Sequence, residues 1–154
     1  MIMKSKMMKL IVTDEISEQD GKKIENGVMN YNKPWFDRAN SAELGVFACE
    51  EDGEKVGGLT GYTHGEWLFV KWLWVSESQR GRDLGSSILA QAEAEAKARG
   101  CKFCMLDTFS FQAPEFYKKY GYEELFVIEE HPVTGKHYFL KKALQKKEQM
   151  FLKT

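Results

Sequence analysis

The feature that most limits how this chain can fold is the run WLFVKWLWV, Trp67 to Val75, together with the helical stretch that succeeds it. Every position except Lys71 is apolar, which is the pattern of a central strand covered on two sides. On a period of two, Trp72 and Trp74 share one face while Trp67, Leu73 and Val75 take the other. From Leu84 to Arg99 the period turns helical: Leu84, Ile88, Ala92 and Ala96 line one face, and Gly100 supplies the stop. A strand therefore hands over to a helix through SESQRGRDLG, a turn that carries two arginines and two glycines.

The flanking sequence builds a sheet around that unit. KLIVTDEI, residues 9–16, predicts a first strand. Ser17 then opens a helix, with Asp20 at its third position as in a capping box. Ile24, Val28 and Tyr31 mark its buried stripe. Pro34 breaks that helix, and residues 32–40 continue as a short second one. Turns at Asp52-Gly53 and His64-Gly65 join three strands as hairpins, the third being Trp67–Val75. KFCMLDTF (102–109) is a further buried strand. Pro114 fits the first turn of a short helix, Gln112 to Tyr120, ended by Gly121. Two last strands run from Tyr122 to Ile128 and from Lys136 to Lys142. The expected order is β-α-α-β-β-β-α-β-α-β-β, an α/β (α+β) single domain over residues 1–154 around one mixed central sheet. The core spans about residues 9–144 and a lysine-rich, solvated tail ends it.

Composition narrows the function. The chain has 154 residues, enough for one domain with a sizeable core. Its 22 basic and 23 acidic residues leave a net charge of −1, which argues against nucleic-acid binding by bulk electrostatics. No run of about 18 apolar residues exists to span a membrane, and no signal peptide is visible, so the expected location is the cytoplasm. Three cysteines fit a reducing compartment. Cys101 and Cys104 form a CxxC on a strand, without the helix N-terminus or second ligand pair that redox or zinc chemistry needs. His64, His131 and His137 are scattered, and no metal is expected.

The turn between strand and helix gathers backbone N–H groups at one point. The first N–H groups of a helix lack partners, and its dipole adds positive charge there. Glycines let a phosphate approach the backbone, and Arg80 and Arg82 add charge at the rim. By spacing alone, a tight turn with two solvated arginines is the competing reading.

The same stretch, Arg80-Gly81-Arg82-Asp83-Leu84-Gly85, resembles the pyrophosphate loop [Q/R]-x-x-G-x-[G/A] of the GCN5-related N-acetyltransferase (GNAT) superfamily. LWV, residues 73–75, matches the strand that offers backbone groups to pantetheine. SFQAPEFYKKYGY (110–122) resembles the family's N-x-x-A-x-x-x-Y-x-x-x-G-F segment, and HYFLKKAL resembles its final strand. Two departures stand out: Asp83 replaces the middle glycine of the loop, and Ser110 replaces the asparagine before the last helix.

The resemblance implies splayed central strands and a direct transfer of an acetyl group from acetyl-CoA to a primary amine of a small molecule. It implies that Arg80, Gly81, Arg82, Asp83, Leu84, Gly85 and Ser86 cradle the pyrophosphate and that Leu73, Trp74 and Val75 align pantetheine. Ser110 would open the last helix and donate to the cofactor. Tyr117 matches the family tyrosine near the CoA sulfur, where a phenol protonated at neutral pH can donate to a thiolate. Glu66 and Asp107 are carboxylates within reach of a water chain, and neither is singled out as the base. Tyr31, Trp35 and Phe36, with Asp37 beside them, and Trp72 are candidates for the acceptor pocket, with core packing the alternative for the aromatics. A protein or peptide amine as acceptor, or an acyl-CoA sensor without turnover, remains open, and a homodimer is the expected assembly.

Overall fold

In a computed structural model of the chain, residues 7–36 and 39–144 are described. Backbone proximity groups them into two units, Met1–Arg38 and Ala39–Thr154. Asp37 and the lysine-rich end beyond Leu144 lie outside the described residues.

The N-terminal unit holds one helix, α1, Glu18–Phe36. Its start follows the expected cap: the Asp20 N–H donates to Ser17 Oγ at 3.1 Å. Three expectations fail here. Residues 9–16 form no strand; an apolar extended segment becomes one only where a neighbouring strand takes up its backbone groups. The two expected helices are one, because Pro34 falls in the last turn, where its missing N–H costs only the final bonds of the ladder. Finally, Ile24, Val28 and Tyr31 are exposed at 70%, 54% and 76%, so the stripe read as buried is not.

The C-terminal unit is built on a six-stranded sheet of order β1-β2-β3-β4-β6-β5. Its strands are β1 Ser41–Cys49, β2 Lys55–His64, β3 Trp67–Val75, β4 Phe103–Phe109, β5 Glu123–Glu129 and β6 Lys136–Ala143. The first two connections are antiparallel hairpins, as Asp52-Gly53 and His64-Gly65 imply. Helix α2, Leu84–Ala98, crosses from β3 to the parallel strand β4, and helix α3, Pro114–Lys119, comes after β4. The core is the layer between α2 and one sheet face, with Leu44, Leu59, Leu68, Ile88, Leu89, Ala92, Cys104 and Leu140 nearly inaccessible. Among the described residues no helix is long and apolar enough to cross a membrane.

Two departures from regular pairing shape the sheet. The first is a bulge in β3: Thr60 pairs with Trp72 and Gly61 with Val70, which leaves Lys71 as the extra residue. Gly61 makes the close approach possible, since a Cβ there would lie 2.2 Å from the Phe69 carbonyl oxygen. The bulge resets the side-chain phase, so Leu68 and Val70 before it and Leu73 and Val75 after it share the helix-covered face. Trp67 therefore joins Phe69, Trp72 and Trp74 on the other face, not Leu73 and Val75 as strict alternation predicts. That face carries Trp72 and Trp74 at 74% and 54% exposure, so β3 is not covered on both sides within this unit.

The second departure is a split. β3 and β4 pair only at Trp67↔Phe103, Leu68↔Cys104 and Phe69↔Met105. Beyond Phe69 the two strands part, while β4 stays paired to β6 as far as Phe109↔His137. The backbone groups of β3 after Phe69 are thus left open on the β4 side.

A buried polar cluster ties α2 to the far side of the sheet. Lys142 Nζ donates to both carboxylate oxygens of Glu93 at 2.9 and 3.0 Å, and the Tyr122 hydroxyl donates to Glu93 Oε1 at 2.9 Å. Burial pushes the Tyr122 hydroxyl well above the usual phenol range and the Cys104 thiol up to about 12. Cys101 is buried as well, and burial raises its thiol too.

Candidate active site

The turn after β3 begins as a single 3-10 turn, Glu77–Gln79, and then swings into α2. Gly81 has φ +78°, a left-handed conformation that glycine adopts freely. Asp83 stands at the N-cap of α2 with φ 58° and ψ 18°. Asp tolerates this region better than most residues, so the turn survives the loss of a glycine there. The Asp83 side chain makes no capping bond. Its carbonyl oxygen instead accepts from the Ser86 and Ser87 hydroxyls at 2.8 and 3.0 Å. Leu84, Gly85 and Ser86 are the first three helical residues, and their N–H groups have no carbonyl one turn back. Arg80 Nε donates to the Val75 carbonyl at 3.2 Å, which fastens the loop to the end of β3.

A groove of about 450 Å³ runs along this corner. Its walls are the loop from Gln79 to Ser86 except Arg82, the helix-side residues Leu73 and Val75 of β3, and Ala113, Phe116, Tyr117, Lys119 and Tyr120 around α3. Of the residues expected to hold a cofactor, Leu73, Val75, Arg80, Gly81, Asp83, Leu84, Gly85 and Ser86 line it. A Cβ on Gly85 would meet Phe116 and Val75 at 3.6 and 3.7 Å, so the glycine keeps the groove floor low rather than relieving a clash.

Three expected cofactor residues stand apart. Arg82 is not among the groove walls. The Trp74 side chain points to the opposite sheet face, opposite Gly58, so only its backbone remains near the site. Ser110 does not open the last helix: Ala113 is the N-cap of α3, and the Ser110 hydroxyl accepts the Lys136 N–H at 3.1 Å. The chain needs residues 110–113 to turn from β4 to α3, and Gln112 braces that turn by accepting the Phe109 N–H at 2.8 Å. Gln79, Phe116 and Lys119 are groove walls that sequence reasoning missed. For Phe116 a signal existed, since it neighbours Tyr117 on the same short helix.

Tyr117 sits at the inner end of the groove. Its ring packs edge-on against Phe116 and Tyr122, with centroids 5.1 and 5.8 Å away. Among the described residues no buried side-chain oxygen or nitrogen lacks a partner, and the Tyr117 hydroxyl makes no hydrogen bond, so it opens to the groove. Burial first, then the charge of Asp107, raises its pKa to about 12, which keeps the phenol protonated across the neutral range.

The split between β3 and β4 opens a second cavity, of about 370 Å³, lined by Tyr62, Phe69, Lys71, Trp72, Asp107 and Phe139 among others. The bulge places Lys71 at its rim, with Nζ 5.3 Å from the Tyr62 ring centroid. Trp72, the acceptor candidate on β3, is part of this wall. The other three candidates, Tyr31, Trp35 and Phe36, lie on α1 in the N-terminal unit, where the Tyr31 and Trp35 rings are 5.9 Å apart. Of the two carboxylates considered as bases, Glu66 is taken up by an ion pair with Lys102 at 2.8 Å. Asp107 lines the cavity.

Comparison with known proteins gives the family. The model of the acetyltransferase (GNAT) family matches residues 10–122. Blasticidin-S acetyltransferase of Streptomyces morookaense is 43% identical over 88 residues, 56% of this chain and 65% of its own length, so the chain spans just under two thirds of that relative. A crystal structure of an acetyltransferase from Bacillus cereus superposes with a TM-score of 0.77 at 38% identity, covering 86% of this chain and 97% of that one. Another, described as an acetyltransferase from Agrobacterium tumefaciens, reaches 0.83 at 29% identity and covers 88% and 99%.

Proposed function

The chain belongs to the acetyltransferase (GNAT) family, and from that premise we propose that it transfers an acetyl group from acetyl-CoA to a primary amine of a small molecule. The observation that carries this reading is the continuous groove from the start of α2, past Leu73 and Val75, to Tyr117. The N–H groups of Leu84, Gly85 and Ser86 and the dipole of α2 bind the diphosphate, with Arg80 at the rim. The unpaired backbone of β3 after Phe69 takes up the amide-bearing arm of the cofactor as a strand would. A backbone N–H there polarises the thioester carbonyl. Tyr117, protonated across the neutral range, donates a proton to the departing thiolate.

The small-molecule acceptor is supported by the blasticidin-S acetyltransferase relative and by the size of the cavity at the strand split, about 370 Å³. Thermal shift with acetyl-CoA, CoA and ATP, and then thiol release across a panel of amines, tests the proposal. Stabilisation by the two CoA compounds but not ATP, with thiol release on some amines, is expected. Equal response to ATP, or no thiol release with any small amine, contradicts it.

A further inference from the structure

Transfer to an amine needs the ammonium proton to be taken up, and a carboxylate, Asp107, lines the cavity at the strand split. Asp107 lies on β4 two residues past Met105, the last residue paired with β3, so its side chain stands beside the opening. The side chain is 43% exposed. His137, on the neighbouring strand β6, places Nε2 2.7 Å from Asp107 Oδ2. The imidazole is itself packed: its ring stacks on Phe109 at 4.1 Å and 10°, and meets Phe139 at 4.4 Å and His131 at 5.2 Å. A ring so enclosed is held in one orientation, and its Nε2–H can fix one carboxylate oxygen of Asp107 and leave the other for the cavity.

This pair is not needed to join its strands. β4 and β6 are already paired in register from Phe103↔Ala143 to Phe109↔His137. The charge of Asp107 also reaches the phenol of Tyr117, on the helix that follows β4. Titratable groups around the pair include Lys71 and Tyr62 on the cavity wall, His131 against the His137 ring, the Lys136–Glu129 ion pair beside His137, and the Lys141–Glu123 ion pair further along β6.

We propose that Asp107 accepts the proton of the incoming ammonium and that His137, buried behind it on β6, is the residue that positions it. This assignment rests on the acetyl-transfer reading. The proton leaves R–NH3⁺ for the free Asp107 oxygen and passes to solvent. The amine lone pair then forms the N–C bond with the thioester carbonyl carbon. As the C–S bond breaks, its electron pair goes to sulfur, which takes the Tyr117 proton. The proton shed by the new amide nitrogen restores Tyr117. One proton is released per turnover, and no oxidant or reductant is required.

The test uses the full chain, acetyl-CoA and an amine that the wild type accepts. Asp107→Asn and Asp107→Ser are both made, so that a folding defect in one decides nothing. Each is expected to lose on the order of 100-fold in kcat, the low end of what a positioned acid or base supplies, with the acetyl-CoA Kd within about 2-fold of wild type. His137→Ala is expected to lower kcat about 10-fold with little change in KM and to move the acidic limb of the kcat/KM profile. His137→Gln, whose amide can donate from nearly the same place, restores most of the rate. A merely structural pair would lower melting temperature without moving the pH profile, and that result overturns the proposal. So does a kcat within 3-fold of wild type in a folded Asp107 variant. If wild-type protein binds no acetyl-CoA or acetylates no amine, the acetyl-transfer reading fails first and this proposal with it. If wild type binds and turns over while both Asp107 variants match it, only the proton-acceptor assignment falls.

Discussion

Replacing Gly85 with Glu gives the sharpest test of the cofactor loop, because the structure separates its electrostatic effect from its steric one. Gly85 is the second residue of α2 and a groove wall. A Cβ there meets Phe116 and Val75 at 3.6 and 3.7 Å, ordinary contact distances, so the fold accepts a side chain without strain. The helix loses nothing either, since glycine is among the poorest helix formers. What changes is a carboxylate at the mouth of the diphosphate site. Two like charges roughly 5 Å apart repel by about 1–3 kcal/mol at an effective dielectric between that of water and a protein surface. For each phosphate charge, that weakens CoA by about 5- to 150-fold. Calorimetric titration of CoA into wild type, Gly85→Glu and the neutral near-isostere Gly85→Gln measures it. The Glu variant should bind far more weakly than the Gln variant, and part of the gap should close as salt rises from about 0.05 to 0.5 M. Equal losses in the two variants would mean that the groove was simply filled. Wild-type affinity in the Glu variant would mean that the diphosphate binds elsewhere.

Tyr117→Phe should lower kcat on the order of 10- to 100-fold while leaving the CoA Kd unchanged, read by steady-state kinetics and calorimetry. Tyr117, raised from 10.0 to about 12 by burial, and Cys104, raised from 9.0 to about 12, hold protons that the unfolded chain releases earlier. Stability is therefore fully present below about pH 9 and falls as pH rises towards 12, by roughly 3 kcal/mol for Tyr117 alone; urea denaturation at stepped pH checks the sign. Lys142→Met leaves the Glu93 carboxylate, 11% exposed, without its cation, and should cost about 3 kcal/mol in urea denaturation. Lys142→Met combined with Glu93→Leu should recover most of that loss.

Much of the sheet was legible because its signals are local. The Asp52-Gly53 and His64-Gly65 turns, the change from a period of two to a helical one at Leu84, and Pro114 each act within a few residues, and the elements form where they point. The strand expected at residues 9–16 shows the converse: extended, apolar sequence is not a strand until another backbone pairs with it. The face assignment of Trp67 failed because the bulge at Lys71 depends on how β3 registers against Gly61, which alternation along one strand does not reveal. In the loop, Arg80, Gly81 and Gly85, the residues that drew attention by their spacing, line one groove. Asp107 was a candidate from the sequence, but its partnership with His137 was not legible, since the two are 30 residues apart and meet only because β6 returns beside β4. Glu93 is a similar case, a charge on the buried side of α2 whose partner Lys142 comes from the last strand.

If the main chain where β3 gives way to α2 grips the diphosphate of CoA, a crystal structure of the protein grown with CoA will record it. Diphosphate oxygens are expected within hydrogen-bond distance of the Leu84, Gly85 and Ser86 N–H groups, with the CoA sulfur close to the Tyr117 hydroxyl. Density for CoA on another surface, with that corner holding only solvent, would contradict it.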